Sequence, residues 1–400
     1  MNKRRKLFFI HLGKLSSSSG HTARLRYELE DISKMADVSI LSLTDELDKF
    51  FLNKYPNIHF YALPIKFSGW KVVNLGNIVG QIDEIISFCR PDIVILCIEI
   101  WDLILELHKK ISDKVAFCGI CHAMPFLGSP LNPTKSFESD VRKFANKQIL
   151  KYRKNYIIKH YREFPKIINS GLLVANNATV AFYFKKYFPK SLFWRQVPHV
   201  TVDPLKTTKT SDIDYDFCYM ARMEKGKGVE YLQDLFNRIS IMLGRKISVA
   251  IMGRADDKYS QEKLRRLLES QSKSFSVRFF GWVDDKTKAT ILSKSGCFIY
   301  PSIYDNFPTV VNEAMAYGLP VAMWNNLFYR VNYSDVESVS AATPFNVEHL
   351  ASVAVNLLQR KSTLSRHSIE YIKKNGGSRS VAKDDLVLFD EIINHYERNK

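Results

Sequence analysis

The chain has 400 residues, of which 46% are hydrophobic and 25% charged, with a formal net charge of +17 at pH 7. This length exceeds what one hydrophobic core usually organises, so we expect two domains of about 200 residues with an ordinary soluble globular composition. The basic N-terminus precedes only four apolar residues, Leu7 to Ile10, which are too few for a signal peptide or a membrane span. These features predict a cytoplasmic protein.

Short apolar runs alternate with longer amphipathic stretches through the first half of the chain. The runs are predicted strands, at residues 7–12, 38–43, 93–98, 115–121 and 172–175. They lack the polar and apolar alternation of a sheet with one wet face, which favours parallel strands covered by helices on both sides.

The fourth run ends in Cys118-Gly119-Ile120-Cys121-His122, a spacing found in haem-attachment, thiol-redox and metal sites. Covalent haem attachment normally requires export, and no second C-x-x-C or H-x-x-x-H accompanies the pair. A thioredoxin-type pair usually begins a helix, whereas this pair ends an apolar strand. We therefore interpret the two cysteines as buried structural residues, and His122 as the residue that the strand delivers.

A strongly basic segment follows. Residues 141–190 hold 12 lysines and arginines against one acid, Glu163. Within 141–166, lysines and apolar residues recur on two different helical faces: Lys143, Lys147, Lys151 and Lys154, and Leu150, Ile157, Tyr161 and Phe164. Two interpretations stay open, a solvated surface helix or a surface attracted to an anionic membrane or a lipid-linked phosphate. No recognised nucleic-acid module accompanies the charge, so no nucleic acid partner is expected.

The second half repeats the pattern of apolar strands. The predicted strands are 216–221, 247–253, 276–281, 296–301 and 319–324, after a linker at 198–216 that contains two prolines and no helical period. We therefore predict an α/β fold of two doubly wound, Rossmann-like domains, 1–205 and 206–375. Residues 376–400 are predicted as a C-terminal helix that crosses back to the first domain.

The stretch "IYPSIYDNFPTVVNEAMAYGLPVA", 299–322, combines a strand end, a loop and a helix start. Asn306 or Phe307 is the predicted helix cap, and Asp305 precedes Glu313 by eight positions. A helix that begins at the end of a parallel strand points free N–H groups, here those of Thr309 and Val310, at a bound anion.

A second strand-end loop, "YMARMEKGKGVEYL" at 219–232, carries Arg222 and Lys227 where both cations could meet a diphosphate. Gly253 and Gly281 end two further strands that lie between these loops in the sequence. The two loops lie at the ends of the first and a later strand of one domain, as a nucleotide-diphosphate site requires.

With these motifs in this order, the chain resembles the family 4 retaining glycosyltransferases of the GT-B fold, the glycosyl transferases group 1. The resemblance covers most of 212–360 and, through a looser strand pattern, the whole chain. It implies two domains that face each other across a cleft. It also implies that Arg222 and Lys227 hold the donor diphosphate, with Asp305 near the sugar and Glu313 near the ribose, as in the family's E-x7-E motif.

Further donor contacts follow from the same resemblance. The backbone amides from Phe307 to Val310, including those of Thr309 and Val310, would complete the phosphate cradle. Four further residues would lie on the donor side: Gly253, Arg254, Gly281 and Trp282. Of these, Arg254 and Trp282 would lie near the base. Fixed cations and helix N–H groups would neutralise the leaving diphosphate, so neither a metal nor a cofactor is expected.

On the amino-terminal side, the resemblance places His122 in the cleft facing the donor sugar. Ser19, Gly20 and His21 correspond to a glycine-rich loop on the acceptor side, although the usual Gly-Gly is absent. Asp305 replaces the more common glutamate, and Asn306-Phe307-Pro308 replaces Gly-Phe-Gly, which removes one amide N–H.

The expected function is therefore transfer of a hexose-type sugar, with retention, from a nucleotide-diphosphate donor to a cell-surface glycan or its lipid-linked precursor. This places the protein in polysaccharide biosynthesis for the cell envelope, at the inner face of the plasma membrane through residues 141–166. Two alternatives stay open: a sugar-nucleotide epimerase of the same architecture, and a non-catalytic basic protein that binds nucleic acid.

Overall fold

Two parallel sheets organise the chain in the computed structural model. Unit 1 comprises residues 1–199 and 378–400, and unit 2 comprises residues 200–377. The structure describes residues 4–15, 20–47, 49–69, 71–97, 99–124, 136–148, 151–197, 213–224, 226–270, 274–303, 305–375 and 378–400. For residues 20–23, 151–152 and 378–380 it describes the backbone alone.

Within the described residues, unit 1 holds a seven-stranded parallel sheet and a separate antiparallel pair. The strands are β1 (Lys6–Leu12), β2 (Asp37–Leu43), β3 (His59–Ala62), β4 (Phe67–Ser68), β5 (Lys71–Val72), β6 (Ile93–Leu96), β7 (Ala116–Cys121), β8 (Leu173–Ala175) and β9 (Trp194–Arg195). The sheet order is β3-β2-β1-β6-β7-β8-β9, and β4 pairs with β5. Every residue of β6 and β7 is buried, as expected for central parallel strands covered on both faces.

Helices connect these strands. They are α1 (Gly20–Met35), α2 (Lys49–Lys54), α3 (Leu75–Cys89), α4 (Trp101–Ile111), α5 (Phe137–Asn146), α6 (Lys151–His160), α7 (Phe164–Asn169) and α8 (Ala178–Tyr187). The start of α8 shows why a helix begins where it does. The Asn177 side chain accepts a hydrogen bond from the Val180 N–H, which has no acceptor within the helix.

The described part of unit 2 holds a six-stranded parallel sheet. Its strands are β10 (Tyr215–Met220), β11 (Ile247–Met252), β12 (Phe275–Gly281), β13 (Ser295–Tyr300), β14 (Val321–Trp324) and β15 (Val339–Ala342). Its helices are α9 (Leu232–Leu243), α10 (Lys258–Glu269), α11 (Asp285–Ser293), α12 (Thr309–Ala316), α13 (Leu327–Asn332), α14 (Val347–Gln359) and α15 (Lys361–Asn375).

The strand order of unit 2 positions its candidate site. The order is β12-β11-β10-β13-β14-β15, so the connections turn from one side of the sheet to the other between β10 and β13. In open parallel sheets, ligands bind at the carboxyl ends of the strands beside this switch point. The loops after β10 and β13 carry Arg222, Lys227 and Asp305.

The final helix, α16 (Ser378–Asn399), belongs to unit 1 although it follows unit 2 in the chain. Its buried residues include Leu388, Phe389, Ile392 and Ile393. The Phe389 ring packs edge-on against Phe9 of β1, with the centroids 6.1 Å apart. The predicted α/β fold of two doubly wound units, with a C-terminal helix that returns to the first, is confirmed.

The basic segment is not one continuous helix. Residues 141–166 are divided among α5, α6 and α7, and Lys147 caps the end of α5, so the lysines predicted to share one helical face lie on two helices. Lys143 and Lys154 are exposed, while Ile157, Tyr161 and Phe164 are buried. These three apolar residues of the predicted pattern therefore serve the core of unit 1, and the fourth, Leu150, lies outside the described residues.

Candidate active site

The loop after β10 places Lys227 beside the switch point of unit 2. The Tyr219 hydroxyl, from the buried end of β10, donates a hydrogen bond to the Lys227 carbonyl oxygen at 3.1 Å. Gly228 follows with φ 84°, and the chain then enters a short 3-10 turn and α9. Arg222, in the same loop, is exposed, and its guanidinium lies 3.1 Å from a Glu224 carboxylate oxygen.

The loop after β13 brings a carboxylate to this lysine. Lys227 Nζ lies 2.7 Å from Asp305 Oδ2, and the Tyr300 hydroxyl donates to the same oxygen at 2.6 Å. The backbone N–H of Asn306 donates to Asp305 Oδ1 at 2.8 Å, so both carboxylate oxygens are fixed. The side chains of Lys227 and Asp305 are 16% and 20% exposed, which leaves them partly shielded yet accessible to a ligand.

Tyr300 is the buried member of this group. Burial, together with the adjacent Asp305 carboxylate, raises the pKa of Tyr300 well above its ordinary value. Its hydroxyl therefore keeps its proton and acts as a donor to Asp305 across the neutral pH range. Lys227 Nζ lies 3.5 Å from the Tyr300 oxygen, which completes a compact triad of cation, carboxylate and hydroxyl.

Direct backbone contacts join the two loops. The Ile303 N–H donates to the Gly226 carbonyl oxygen at 2.8 Å, and the Ser302 hydroxyl donates to the same oxygen at 3.3 Å. At Gly228, an added Cβ would lie only 2.2 Å from the Pro301 carbonyl oxygen. The close approach of the loops thus requires glycine at this position.

Helix α12 begins directly after the second loop. Its N-cap is Pro308, with no side-chain cap, rather than Asn306 or Phe307 as the sequence indicated. Phe307 is half-buried in the preceding loop. Thr309 and Val310 are the first two helical residues, and in that position their N–H groups have no intrahelical acceptor, so they suit an anion. Pro308 cannot contribute an N–H of its own.

Glu313 lies inside α12 and is nearly buried. Its carboxylate is 3.3 Å from Lys288 Nζ of α11, a lysine that is itself only 15% exposed. Glu313 is thus balanced by a nearby cation, which compensates part of the cost of burying a carboxylate. The sequence motifs did not single out Lys288.

The ends of β11 and β12 add the remaining predicted donor-side residues. The Gly253 N–H donates to the Gly281 carbonyl oxygen at 2.8 Å, and the Met223 N–H donates to the Arg254 carbonyl oxygen at 2.7 Å. These bonds link the β11 and β12 ends to the loop that carries Arg222. The Arg254 guanidinium carbon lies 5.5 Å from the Trp282 ring centroid, and Trp282 is 60% exposed, so the pair presents a flat cationic and aromatic surface.

In unit 1, His122 follows the last residue of β7. One Glu99 carboxylate oxygen accepts the N–H groups of His122 and Ala123 at 2.6 and 2.8 Å. The Asn177 side chain donates to the His122 carbonyl oxygen at 3.2 Å, and the Asn176 amide nitrogen lies against His122 Nδ1. Burial raises the pKa of Glu99 to about 7, although the two backbone N–H groups oppose this change.

The acceptor-side residues proposed from sequence are less fully described. Ser19 lies outside the described residues, while Gly20 and His21 form the start of α1, where the structure describes the backbone alone.

Cys118 and Cys121 are buried in β7, and burial raises the pKa of both thiols well above their ordinary value. Both thiols are therefore protonated at neutral pH, which fits the structural role predicted for them. In the described part of the chain, no group of three or more His, Cys, Asp or Glu residues is arranged to hold a metal ion. Over the same residues, no helix is long and apolar enough to cross a membrane.

The contributors to these sites that were not predicted include Glu99, Asn176, Lys288 and Tyr300. Glu99 and Asn176 carried a usable signal, since each follows a buried strand adjacent to the one that delivers His122. Polar residues at neighbouring strand ends meet at one edge of a parallel sheet. Tyr300 and Lys288 carried no comparable signal, because an apolar strand ending in tyrosine and a helical lysine are common structural features.

The chain has two doubly wound parallel units, and in one of them a loop with a cation meets a loop with a carboxylate at the switch point. This architecture defines the GT-B class of glycosyltransferase fold. Solved structures agree over nearly the whole chain. Sucrose-phosphate synthase from Thermosynechococcus elongatus superposes with a TM-score of 0.72 and 14% identity, covering 98% of this chain and 100% of that one. Anabaena HepE in complex with UDP and glucose gives a TM-score of 0.67 and 15% identity, with 97% and 100% coverage.

The sequence comparison finds a family match for the second unit. Residues 206–375 match the sequence model described as "Glycosyl transferases group 1", the family that the motifs of this unit resemble. Sucrose synthase from Acidithiobacillus caldus is 31% identical over 115 residues, and O-antigen chain mannosyltransferase B from Escherichia coli is 24% identical over 107 residues. These matches cover 26% and 27% of this chain, but only 14% and 28% of the relatives' own length.

Proposed function

We propose that the protein is a retaining glycosyltransferase that uses a nucleotide-diphosphate sugar. The observation that carries the proposal is the contact of Lys227 with Asp305 and Tyr300 at the switch point of unit 2. A cation and a carboxylate that are fixed together at a strand edge suit a donor with an anionic diphosphate joined to a neutral sugar. The glycosyl transferases group 1 match of the same unit supports this reading.

In the proposed reaction, Lys227 and Arg222 contact the diphosphate and stabilise the negative charge that grows on it as the glycosidic bond breaks. The N–H groups of Thr309 and Val310 add backbone donors to the same anion. Asp305 lies near the sugar, where a carboxylate stabilises the positive character of the anomeric carbon. Glu313, neutralised in part by Lys288, is assigned to the ribose, and the flat surface of Arg254 and Trp282 to the base.

These groups supply the charge stabilisation that a bound metal would otherwise provide, so we infer transfer without a metal. His122 is assigned to a sugar or acceptor hydroxyl, which a neutral imidazole can bind as a hydrogen-bond partner. We further propose a hexose-type sugar and a cell-surface glycan or lipid-linked acceptor. Support comes from the E. coli mannosyltransferase of O-antigen chains and from the fold likeness to WaaG, described as involved in lipopolysaccharide biosynthesis.

The donor site can be tested by calorimetry with UDP, GDP, dTDP and CMP, first without metal and then with magnesium. We expect one nucleoside diphosphate to bind without metal. Lys227→Ala should weaken that binding about 10- to 100-fold, the range for loss of one charge-assisted hydrogen bond, and should abolish sugar transfer. Lys246→Ala removes an exposed lysine of the same unit and is the matched control.

Equal binding by the wild type and Lys227→Ala would contradict the assigned role of Lys227. The configuration of the product at the anomeric carbon, read by NMR, tests retention. Conversion of a nucleotide sugar without any acceptor would instead favour the epimerase. Salt-dependent oligonucleotide binding without nucleotide-sugar binding would favour the nucleic-acid-binding protein.

The proposed membrane partner rests on the basic segment, where Lys143 and Lys154 are exposed on α5 and α6. Each basic residue near an anionic membrane contributes about 1 kcal/mol. Reversing both charges, as Lys143→Glu with Lys154→Glu, should therefore reduce co-sedimentation with anionic phospholipid vesicles at least about tenfold. Unchanged co-sedimentation, or equal binding to zwitterionic vesicles, would contradict a membrane role.

A further inference from the structure

A buried polar network in unit 1 connects the C-terminal helix to His122. It begins at Arg24 of α1, whose Nη2 donates to both carboxylate oxygens of Asp385 on α16, at 2.9 and 2.7 Å. The Gln196 side chain donates to Asp385 at 3.0 Å. The three side chains are 1–5% exposed. A buried ion pair loses its hydration, and several well-aligned hydrogen bonds such as these offset the cost of that desolvation.

The same guanidinium fixes the amide of Asn176. Arg24 Nη1 donates to the Val197 carbonyl oxygen at 2.8 Å and to Asn176 Oδ1 at 3.1 Å. Glu28 also lies beside this guanidinium, 2.9 Å from Arg24 Nε. Because arginine has donors only, the Asn176 atom that faces it must be the carbonyl oxygen, and the amide nitrogen then points the other way.

That amide nitrogen faces Nδ1 of the His122 ring. An amide N–H₂ can only donate, so Nδ1 must accept, and the single proton of the neutral ring then lies on Nε2. A proton on Nδ1 would set two donors against each other. The backbone of His122 is fixed independently, by Glu99 at its N–H and by Asn177 at its carbonyl oxygen.

We propose that Asn176 is a positioning residue that holds His122 in its Nε2–H tautomer, with Arg24 and Asp385 holding Asn176 in turn. The final helix then contributes to the chemistry of unit 1 as well as to its core, through one carboxylate. A ring fixed in this way carries its N–H donor on Nε2, an atom that is buried in the structure, so an oxygen of a sugar, an acceptor or a phosphate must reach into the site to accept from it. The tautomer is independent of the reaction, whereas its consequence for turnover rests on the proposed glycosyltransferase function.

The tautomer can be read directly from the full chain labelled with ¹⁵N-histidine. The signals of His122 are those of the wild-type spectrum that are absent from the spectrum of His122→Gln. In a long-range ¹H–¹⁵N spectrum at neutral pH, we expect these signals to show an unprotonated Nδ1 and a protonated Nε2. A wild-type ring protonated on Nδ1 would overturn the proposal without recourse to any other variant.

Asn176→Asp provides the second test, because a carboxylate opposite Nδ1 accepts instead of donating. A carboxylate also favours the doubly protonated ring, so the spectrum is recorded at a pH high enough for a neutral ring, where we expect the single ring proton on Nδ1. Asn177→Asp is the matched control: it keeps the oxygen that caps α8 but loses the donor to the His122 carbonyl oxygen, and the tautomer should stay as in the wild type. An Nε2–H ring in Asn176→Asp, with the circular dichroism spectrum of the wild type, would overturn the proposal.

Turnover separates this inference from the proposed function. With the ring proton on Nδ1, Nε2 can no longer donate, and we expect kcat to fall, by up to about 100-fold for a misplaced catalytic contact. If the tautomer changes while turnover does not, the positioning role of Asn176 stands and the assignment of His122 to the reaction is wrong. If the tautomer does not change, the inference is wrong whatever the turnover.

Discussion

At the scale of single residues, Glu99 shows how burial and hydrogen bonding compete at one carboxyl group. Two backbone N–H groups donate to one of its oxygens, which favours the charged form, yet burial dominates and raises the pKa to about 7. The carboxyl therefore changes charge near neutral pH. Because its partners are the N–H groups of His122 and Ala123, this change acts directly on the segment that carries His122.

Glu99→Gln tests this effect through stability. An unfolded glutamate has a pKa of about 4.5, so between pH 4.5 and 7 the folded state holds more protons, and the free energy of unfolding must fall as the pH rises through this range. At about 1.4 kcal/mol per pKa unit, the loss is on the order of 3 kcal/mol by pH 7. The glutamine side chain of the variant retains the acceptor oxygen and carries no charge, so its contribution should not vary with pH.

Urea unfolding at pH 5 to 8 gives the measurement. The stability advantage of the wild type over Glu99→Gln should shrink from pH 5 to pH 7 and then stay constant. Glu84→Gln, at an exposed position of α3, should follow the wild type at every pH. Parallel curves for the wild type and Glu99→Gln would show that burial does not shift the titration of this carboxyl.

Whether a single site residue could be predicted depends on how far along the sequence its partners lie. Lys227 and Asp305 were predicted because a cation in a glycine turn and an acid before a helix are patterns within short stretches of sequence. Tyr300 was not, because its role depends on a hydroxyl of a buried strand reaching Asp305 five residues later. Glu99 and Asn176 carried a partial signal as polar residues after buried strands, but their meeting with His122 depends on the order of β6, β7 and β8, which sequence does not specify.

At the scale of elements, the loops after β10 and β13 depend on how closely two backbones approach. Gly228 has φ 84°, and its Cβ, if present, would lie 2.2 Å from the Pro301 carbonyl oxygen. A backbone oxygen cannot move aside as the end of a flexible side chain can. A residue with a side chain at this position must therefore separate the loops that hold Lys227 and Asp305.

Gly228→Ala should consequently impair both stability and nucleotide binding. A left-handed conformation costs an alanine roughly 1–2 kcal/mol, and the overlap adds about 1–3 kcal/mol. Gly244→Ala is the matched control, because Gly244 has φ 63° at the end of α9 and open space where a Cβ would be. Unfolding and calorimetry should show the smaller cost and intact binding for Gly244→Ala. Equal effects of the two substitutions would contradict the role of the close approach.

The predicted and observed elements differ mainly at the sheet edges. The sequence predicted the central strands from their continuous apolar runs but missed the two-residue strands β4 and β5, and also β3, β9 and β15, which are edge strands of two to four residues. An edge strand pairs on one side only and is less completely buried, so its sequence lacks a long apolar run. For the basic segment, helical periodicity was present, but the breaks between α5, α6 and α7 depend on packing that periodicity does not encode.

At the scale of the whole molecule, unit 1 is built from two separate stretches of sequence, because the chain returns to it after the residues of unit 2. Helix α16 supplies Leu388, Phe389, Ile392 and Ile393 to the core of unit 1, and Asp385 to its buried network. Burial of an apolar side chain of this size contributes about 1.5–3 kcal/mol, so the four together approach the entire stability of a typical domain. Unit 1 is therefore expected to depend on the last 23 residues of the chain, which belong to it by contact and not by sequence position.

Phe389→Ala tests this dependence with one substitution. Phe389 is 1% exposed and packs on Phe9, and loss of a buried phenylalanine typically costs about 3–5 kcal/mol. Hydrogen exchange should accelerate in β1 and β7 of unit 1, while β10 and β13 of unit 2 keep their protection. Val387→Ala, at a position 59% exposed on the same helix, should change neither. Equal acceleration in both units would mean that they unfold as one cooperative body, and unchanged exchange in β1 would mean that α16 does not stabilise the core of unit 1.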